Sequence, residues 1–252
     1  MYGAVIHAPG DVRYEEREDP TILEPTDAIV RTVAACVCGS DLWRYRGISP
    51  VPKPTPIGHE YCGVVEAVGD AVTSVKVGDF VVGGFNPGDN TCPVCRKGAQ
   101  ANCQHGTHYA GCQADRIRIP FADGTLLATP GMPAEDLIPS ILALSDVMCT
   151  GWHAAVSADV GPGKSVAVVG DGAVGLCAAL AAVQLPATNL SPAPAGRRGW
   201  RRHSRTNGVF CRPSVGSPDA VDQPVRPDSG RPERVREGLK VDPGPAPRNI
   251  RL

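Results

Sequence analysis

Gly58-His59-Glu60-Tyr61-Cys62-Gly63-Val64-Val65-Glu66-Ala67-Val68-Gly69-Asp70-Ala71-Val72 decides the reading of this chain. It sets an imidazole and a carboxylate side by side at the mouth of an apolar, β-branched strand, Val64 to Val68. Gly63 and Gly69 let that strand bend or approach a neighbour closely. Some twenty residues upstream, Cys38-Gly39-Ser40-Asp41 puts a thiol in a short polar turn. Soft sulfur, imidazole nitrogen and hard oxygen in one compact unit describe an open, catalytic zinc site better than a closed structural one.

Working outward, Gly3 to His7 and Val12 to Glu15 read as a hairpin. Asp27 to Ala35 reads as a longer strand that delivers Cys38 to its turn. Leu42 to Gly47 reads as a short helical turn, Val51 to Pro56 as an extended loop, and Asp79 to Val82 as another strand. Many short strands with glycine punctuation predict a distorted barrel. Asn86 to Gly111 is a cysteine-rich lobe without period, and Gln113 to Ile119 and Thr125 to Ala128 return to strand patterning. Pro133 to Ala158 reads as helices broken at Pro139 and near Gly151. Ser165 to Val169 is a buried strand, and a helix begins at Gly172. Gly170-Asp171-Gly172-Ala173-Val174-Gly175 joins them, as in a dinucleotide-binding fold: a tight turn, close approach to a pyrophosphate, and a helix N-terminus that favours the anion.

These three motifs, in this order and spacing, resemble the zinc-dependent medium-chain alcohol dehydrogenase family, in its threonine, sorbitol and formaldehyde dehydrogenase-like branch. The resemblance covers residues 1 to about 182. It implies an α/β fold with a β-rich N-terminal part: a chaperonin-10-like catalytic domain over 1–152, then the start of a Rossmann domain over 153–182. The activity it implies is hydride transfer between an alcohol or aldehyde and NAD or NADP, with zinc as Lewis acid. It makes Cys38, His59 and Asp146 the catalytic zinc ligands, with Cys149 competing for the third position and Glu60 coordinating or standing just behind. By the same resemblance Ser40 starts the proton relay and Asp41 holds the second ring nitrogen of His59. Trp43 and Tyr45 stand near where the family often has a relay histidine. Gly170, Gly172, Val174, Gly175 and Thr150 would face the cofactor. Cys92, Cys95 and Cys103 resemble three of the four ligands of the family's structural zinc lobe, with Asp89 at the first position and His105 an alternative fourth ligand. A homo-oligomer is the family's usual state.

Composition bounds the alternatives. Ten cysteines in 252 residues could suggest a secreted disulfide framework. The chain is too rich in core residues to need one, and Met1-Tyr2-Gly3-Ala4-Val5 has no basic leader pattern. A reducing cytoplasm is the expectation. The apolar run from Ser165 to Ala182 is interrupted by glycines and Asp171 and does not read as a membrane span.

The formal net charge of −1 hides a split. Residues 183–252 hold 12 arginines and one lysine against six acidic residues. Their prolines recur too often for helix or central strand, and the segment should not bury a core. It is read as a Pro/Arg-rich disordered tail, and the abrupt change in mid-helix suggests a shift of reading frame. A genuine basic tail touching nucleic acid is the alternative, although no nucleic-acid partner is expected. For the chain as a whole the rival to an active enzyme is a truncated, non-catalytic zinc-binding remnant. A zinc-free quinone-reductase-like relative would lack Cys38 and His59.

Overall fold

The computed structural model describes residues 1–107, 109–193 and 208–213. These lie in one compact unit, Met1–Ser214; residues 215–252 fall outside the described residues. The chain runs β1 (Tyr2–Ala8), β2 (Asp11–Glu16), β3 (Ala28–Cys36), α1 (Asp41–Tyr45), β4 (Thr55–Pro56), β5 (Glu60–Val68) and β6 (Phe80–Gly83). Then follow β7 (Arg116–Ile119), α2 (Ala122–Thr125), β8 (Leu126–Ala128), α3 (Ile138–Leu142), α4 (Val147–Ser157), β9 (Lys164–Val169), α5 (Ala173–Gln184), β10 (Asn189–Ala193) and β11 (Gly208–Pro213).

The strands of the first 130 residues form two antiparallel sheets, β7-β3-β5-β6-β8 and β2-β1-β4. Register in the larger sheet is set by burial. Ala28 and Val30 of β3, Tyr61 and Val65 of β5, and Ile117 and Ile119 of β7 point into one core with Val75, Val81 and Leu126. Each large apolar side chain buried there contributes about 1.5–3 kcal/mol relative to exposure. Asp27 sits fully buried at the foot of β3, where Arg118 holds it at 2.6 and 3.0 Å and the N–H groups of Leu23 and Glu24 cap it. Removing one partner would leave a buried charge uncompensated.

The helical segment differs from the sequence reading. Pro139 does not break a helix; it occupies the first turn of α3, where its missing N–H costs nothing. Gly151 does not break one either. It lies inside α4, and a Cβ there would meet the backbone N of Ala178 at 2.6 Å, so it is the point of closest approach of α4 to α5. The chain instead turns at Asp146, with φ −144° and ψ −67°.

After α5 the structure corrects the expected disorder from residue 183. The helix continues to Gln184, and β10 pairs in parallel with β9 from Asn189 to Ala193. β11 flanks β9 on the other side, antiparallel. Pro192 and Pro213 are tolerated because both strands are edges of a three-stranded sheet. The remaining tail positions, 194–207 and 214–252, lie outside the described residues. Val166 and Val168 of β9 pack with Ala178, Ala181 and Ala182 of α5 and Ala155 of α4. No described helix is long and apolar enough to cross a membrane.

Candidate metal centre and nucleotide loop

Three parts of the chain converge on one spot. The turn after β3 carries Cys38, the start of β5 carries His59 and Glu60, and the bend before α4 carries Asp146. One donor atom from each lies within 4.8 Å of all the others. The Cys38 Sγ is 3.8 Å from Asp146 Oδ2, and His59 Nε2 is 3.4 Å from the same oxygen. Ligands placed tetrahedrally around zinc at ordinary bond lengths stand about 3.3–3.8 Å apart, so the thiol, imidazole and carboxylate fit the ion as they lie. Glu60, the fourth member of the cluster, is 3 % exposed. Cys149 is not in the cluster; its thiol donates to the Leu144 carbonyl at 2.9 Å.

Supporting contacts fix each donor. Asp41 Oδ1 lies 3.4 Å from His59 Nδ1, while its Oδ2 accepts the Cys38 N–H at 3.0 Å. Gln113 donates to that same oxygen at 3.4 Å and to the Cys36 carbonyl at 3.1 Å. Such outer contacts set the imidazole tautomer and raise its basicity toward a metal. Gly58, just before His59, has φ +94°, and a Cβ would lie 2.9 Å from the Gln113 backbone N, so only glycine lets the two segments meet there. Phe85 covers His59 edge-on at 5.8 Å.

The electrostatics show a site rich in negative charge. Without an ion the His59 pKa is pushed up to about 11, first by Asp146 and then by Asp41. Burial raises the Glu60 carboxyl, and the nearby Asp146 charge raises it further. Burial also pushes Asp146 up, yet contacts with His59, Thr150 and Cys38 hold it below its usual value. A divalent cation would relieve this excess.

Thr150, expected to face a cofactor, donates its hydroxyl to Asp146 Oδ1 at 2.6 Å. Ser40 is exposed at the head of α1, with no hydrogen-bond partner for its hydroxyl among the described residues. Trp43, on the next turn, is 59 % exposed. Sequence reasoning missed Gln113 and Phe85. Neither belongs to a short motif, and both reach the site from strand ends and loops distant in sequence.

The second cluster contains Asp89, Cys92, Cys95 and Cys103, again within 4.8 Å of one another. Two 3-10 turns, Cys95–Lys97 and Gln100–Asn102, wind the lobe around them. Backbone N–H groups, led by that of Cys95, lower the Cys92 thiol to about 7, and burial raises Cys95 to about 12. Three thiols and a carboxylate form an acceptable closed zinc set. His105 is outside the set: its Nδ1 lies 2.6 Å from Asp89 Oδ2.

At the nucleotide loop, Gly170 has φ +118°. A Cβ at Gly175 would lie 2.0 Å from the Gly170 carbonyl oxygen. Nothing stands within 4 Å of a Cβ built at Gly172. The loop therefore has its tight turn, its close helix–strand contact and an open middle position at the N-terminus of α5. Val174 lies half-buried in the first turn of that helix.

Comparison with known proteins agrees with this geometry. Residues 24–131 match the alcohol dehydrogenase GroES-like domain. A probable zinc-binding alcohol dehydrogenase of Mycobacterium tuberculosis is 38 % identical over 185 residues, covering 71 % of this chain and 47 % of that protein. A glutathione-independent formaldehyde dehydrogenase of Pseudomonas aeruginosa is 34 % identical over 201 residues, covering 71 % of this chain and 50 % of its own length. Among solved structures, the alcohol dehydrogenase TADH from a Thermus species superposes with a TM-score of 0.69 at 35 % identity, covering 76 % of this chain and 57 % of its own. The chain spans about half the length of these curated relatives. With the GroES-like domain and the zinc-type relatives in agreement, the chain belongs to the zinc-dependent medium-chain alcohol dehydrogenase family.

Proposed function

We propose that the chain is the catalytic part of a zinc-dependent oxidoreductase that moves a hydride between an alcohol or aldehyde and NAD or NADP. The observation that carries this reading is the convergence of Cys38, His59 and Asp146, with the Glu60 carboxylate in the same cluster. Zinc held by these residues would supply Lewis-acid polarisation of the substrate oxygen, and a bound nicotinamide cofactor would supply the hydride chemistry. Cys38, His59 and Asp146 bind the metal. Asp41 and Thr150 orient His59 and Asp146 through their second polar atoms. The unpartnered Ser40 hydroxyl is suited to take the proton of the alcohol, since a hydroxyl donates and accepts at once. Gly170, Gly172, Val174 and Gly175 form the cradle for the cofactor pyrophosphate. Asp89, Cys92, Cys95 and Cys103 hold a second, structural zinc.

The domain limits that accompany this reading place the catalytic domain at 1–152 and the opening of the Rossmann domain from 153. The nine cysteines from Cys36 to Cys177 are free, which supports a reducing compartment such as the cytoplasm.

A second reading is a zinc-binding domain without turnover. It is favoured by one observation: the described sheet beside the nucleotide loop has three strands, and one of them is antiparallel. A dinucleotide normally spans a larger parallel sheet. The two readings separate by calorimetry and by assay. Micromolar binding of NAD or NADP with alcohol-dependent reduction supports the enzyme. Bound zinc with neither supports the remnant.

A further inference from the structure

The cysteine lobe departs from an all-thiol site at one position, Asp89, and the structure shows how the departure is accommodated. The carboxylate is used on both sides. Oδ1 faces the thiols, 3.4 Å from Cys103 Sγ, and accepts the N–H groups of Thr91 and Cys92 at 3.0 and 3.1 Å. Oδ2 faces outward. It accepts the Thr91 hydroxyl at 2.8 Å and lies 2.6 Å from His105 Nδ1. A carboxylate oxygen accepts, and Oδ2 lies at hydrogen-bond distance from the ring nitrogen. The His105 Nδ1 must therefore carry the proton.

We propose that His105 is the positioning residue that makes Asp89 a working fourth ligand, holding Oδ2 so that Oδ1 alone is presented to the metal beside Cys92, Cys95 and Cys103. A thiolate offers one donor atom in one direction. A carboxylate offers two oxygens and can rotate or chelate, so substituting it into a tetrahedral site needs an outside contact to select one oxygen. His105 arises only two residues after Cys103 and is 64 % exposed, so this contact is its main engagement with the fold. The same contact takes the ring nitrogen that faces the cluster, which explains why His105 is not a ligand itself.

The proposal rests on the lobe binding zinc, and the test separates the two. Full-length wild type, Cys92→Ser, His105→Ala, His105→Asn, Asp89→Cys and the Asp89→Cys/His105→Ala double variant are loaded with zinc and challenged with a chelator of graded strength. Cobalt-loaded samples report the donor set through their visible spectra. The expected result is that His105→Ala releases the lobe metal about 10–100-fold more readily. His105→Asn, whose amide can place an N–H near the same point, holds it as wild type does. Asp89→Cys shifts the cobalt spectrum toward a four-thiolate set, and in that background His105→Ala has no effect. Retention by His105→Ala equal to wild type, or an equal loss on adding His105→Ala to Asp89→Cys, overturns the positioning role. A wild-type zinc content unchanged by Cys92→Ser overturns the lobe reading and the proposal together.

Discussion

Thr150 donates its hydroxyl to Asp146 Oδ1 at 2.6 Å, which leaves Oδ2 facing Cys38 and His59. The two residues are one helical turn apart, and the Thr150 N–H also closes on the Asp146 carbonyl. Asp146 thus sits at the start of α4 with one oxygen tied to its own helix and the other free for a metal. Thr150→Val removes the tie and keeps the shape. Zinc affinity at this site is expected to fall about 10–100-fold, with a loss of about 1 kcal/mol in metal-free stability. Competition with a chromogenic chelator and urea unfolding of the apoprotein measure the two.

Cys149 and Asp146 compete for the third ligand position in sequence, and the structure separates them. Asp146→Asn is expected to lower catalytic-site zinc content strongly. Cys149→Ala, whose thiol is spent on the Leu144 carbonyl, is expected to leave it unchanged. Zinc analysis on lobe-deficient Cys92→Ser backgrounds reads each directly, because only the catalytic ion remains to be counted.

Gly58→Ala tests the junction on which His59 is mounted. The added Cβ meets the Gln113 backbone N at 2.9 Å in a conformation with φ +94°. Backbone strain and overlap together should cost about 2–4 kcal/mol. The variant should unfold at lower urea and lose zinc in parallel, since the strand that moves carries the ligand.

Asp123 gives a pH dependence carried by a carboxylate that belongs to neither metal cluster. Its carboxylate accepts the N–H and hydroxyl groups of Thr73 and Ser74 at 2.7–3.1 Å. Burial raises its pKa, but these donors outweigh burial and hold it below 3.8. A folded-state pKa below the unfolded one means stability that is present above about pH 4 and is lost as pH falls through the folded value. Asp123→Ala should therefore be about 1 kcal/mol less stable than wild type at pH 6, with the gap closing toward pH 3. Urea midpoints across that range check the sign.

The residues that converge in the candidate metal centre were legible as a set because each lies in a short motif whose residue types have few other uses in combination. Cys38 with Asp41 and His59 with Glu60 each specify a turn and its donors locally. The nucleotide loop was legible for the same reason, since Gly170 and Gly175 answer to a positive φ and to a contact five residues away. What local pattern could not carry was the wiring between motifs. Gln113 reaches Asp41 across 72 residues, and Thr150 was assigned to the cofactor because nothing in its immediate sequence reveals which side of α4 meets Asp146. Pro139 and Gly151 were misread as breaks because proline and glycine mean different things in a first helical turn, at a helix–helix contact and in a helix interior. β10 was missed because Pro192 argues against a central strand, and only the sheet order reveals an edge.

The proposed function depends on a zinc ion held by Cys38, His59 and Asp146. The most direct measurement is the zinc content of the purified full-length chain and its His59→Ala variant, with both confirmed folded by circular dichroism. Two zinc ions per wild-type chain and one in the variant are expected. An identical zinc content in the two proteins would contradict the proposal.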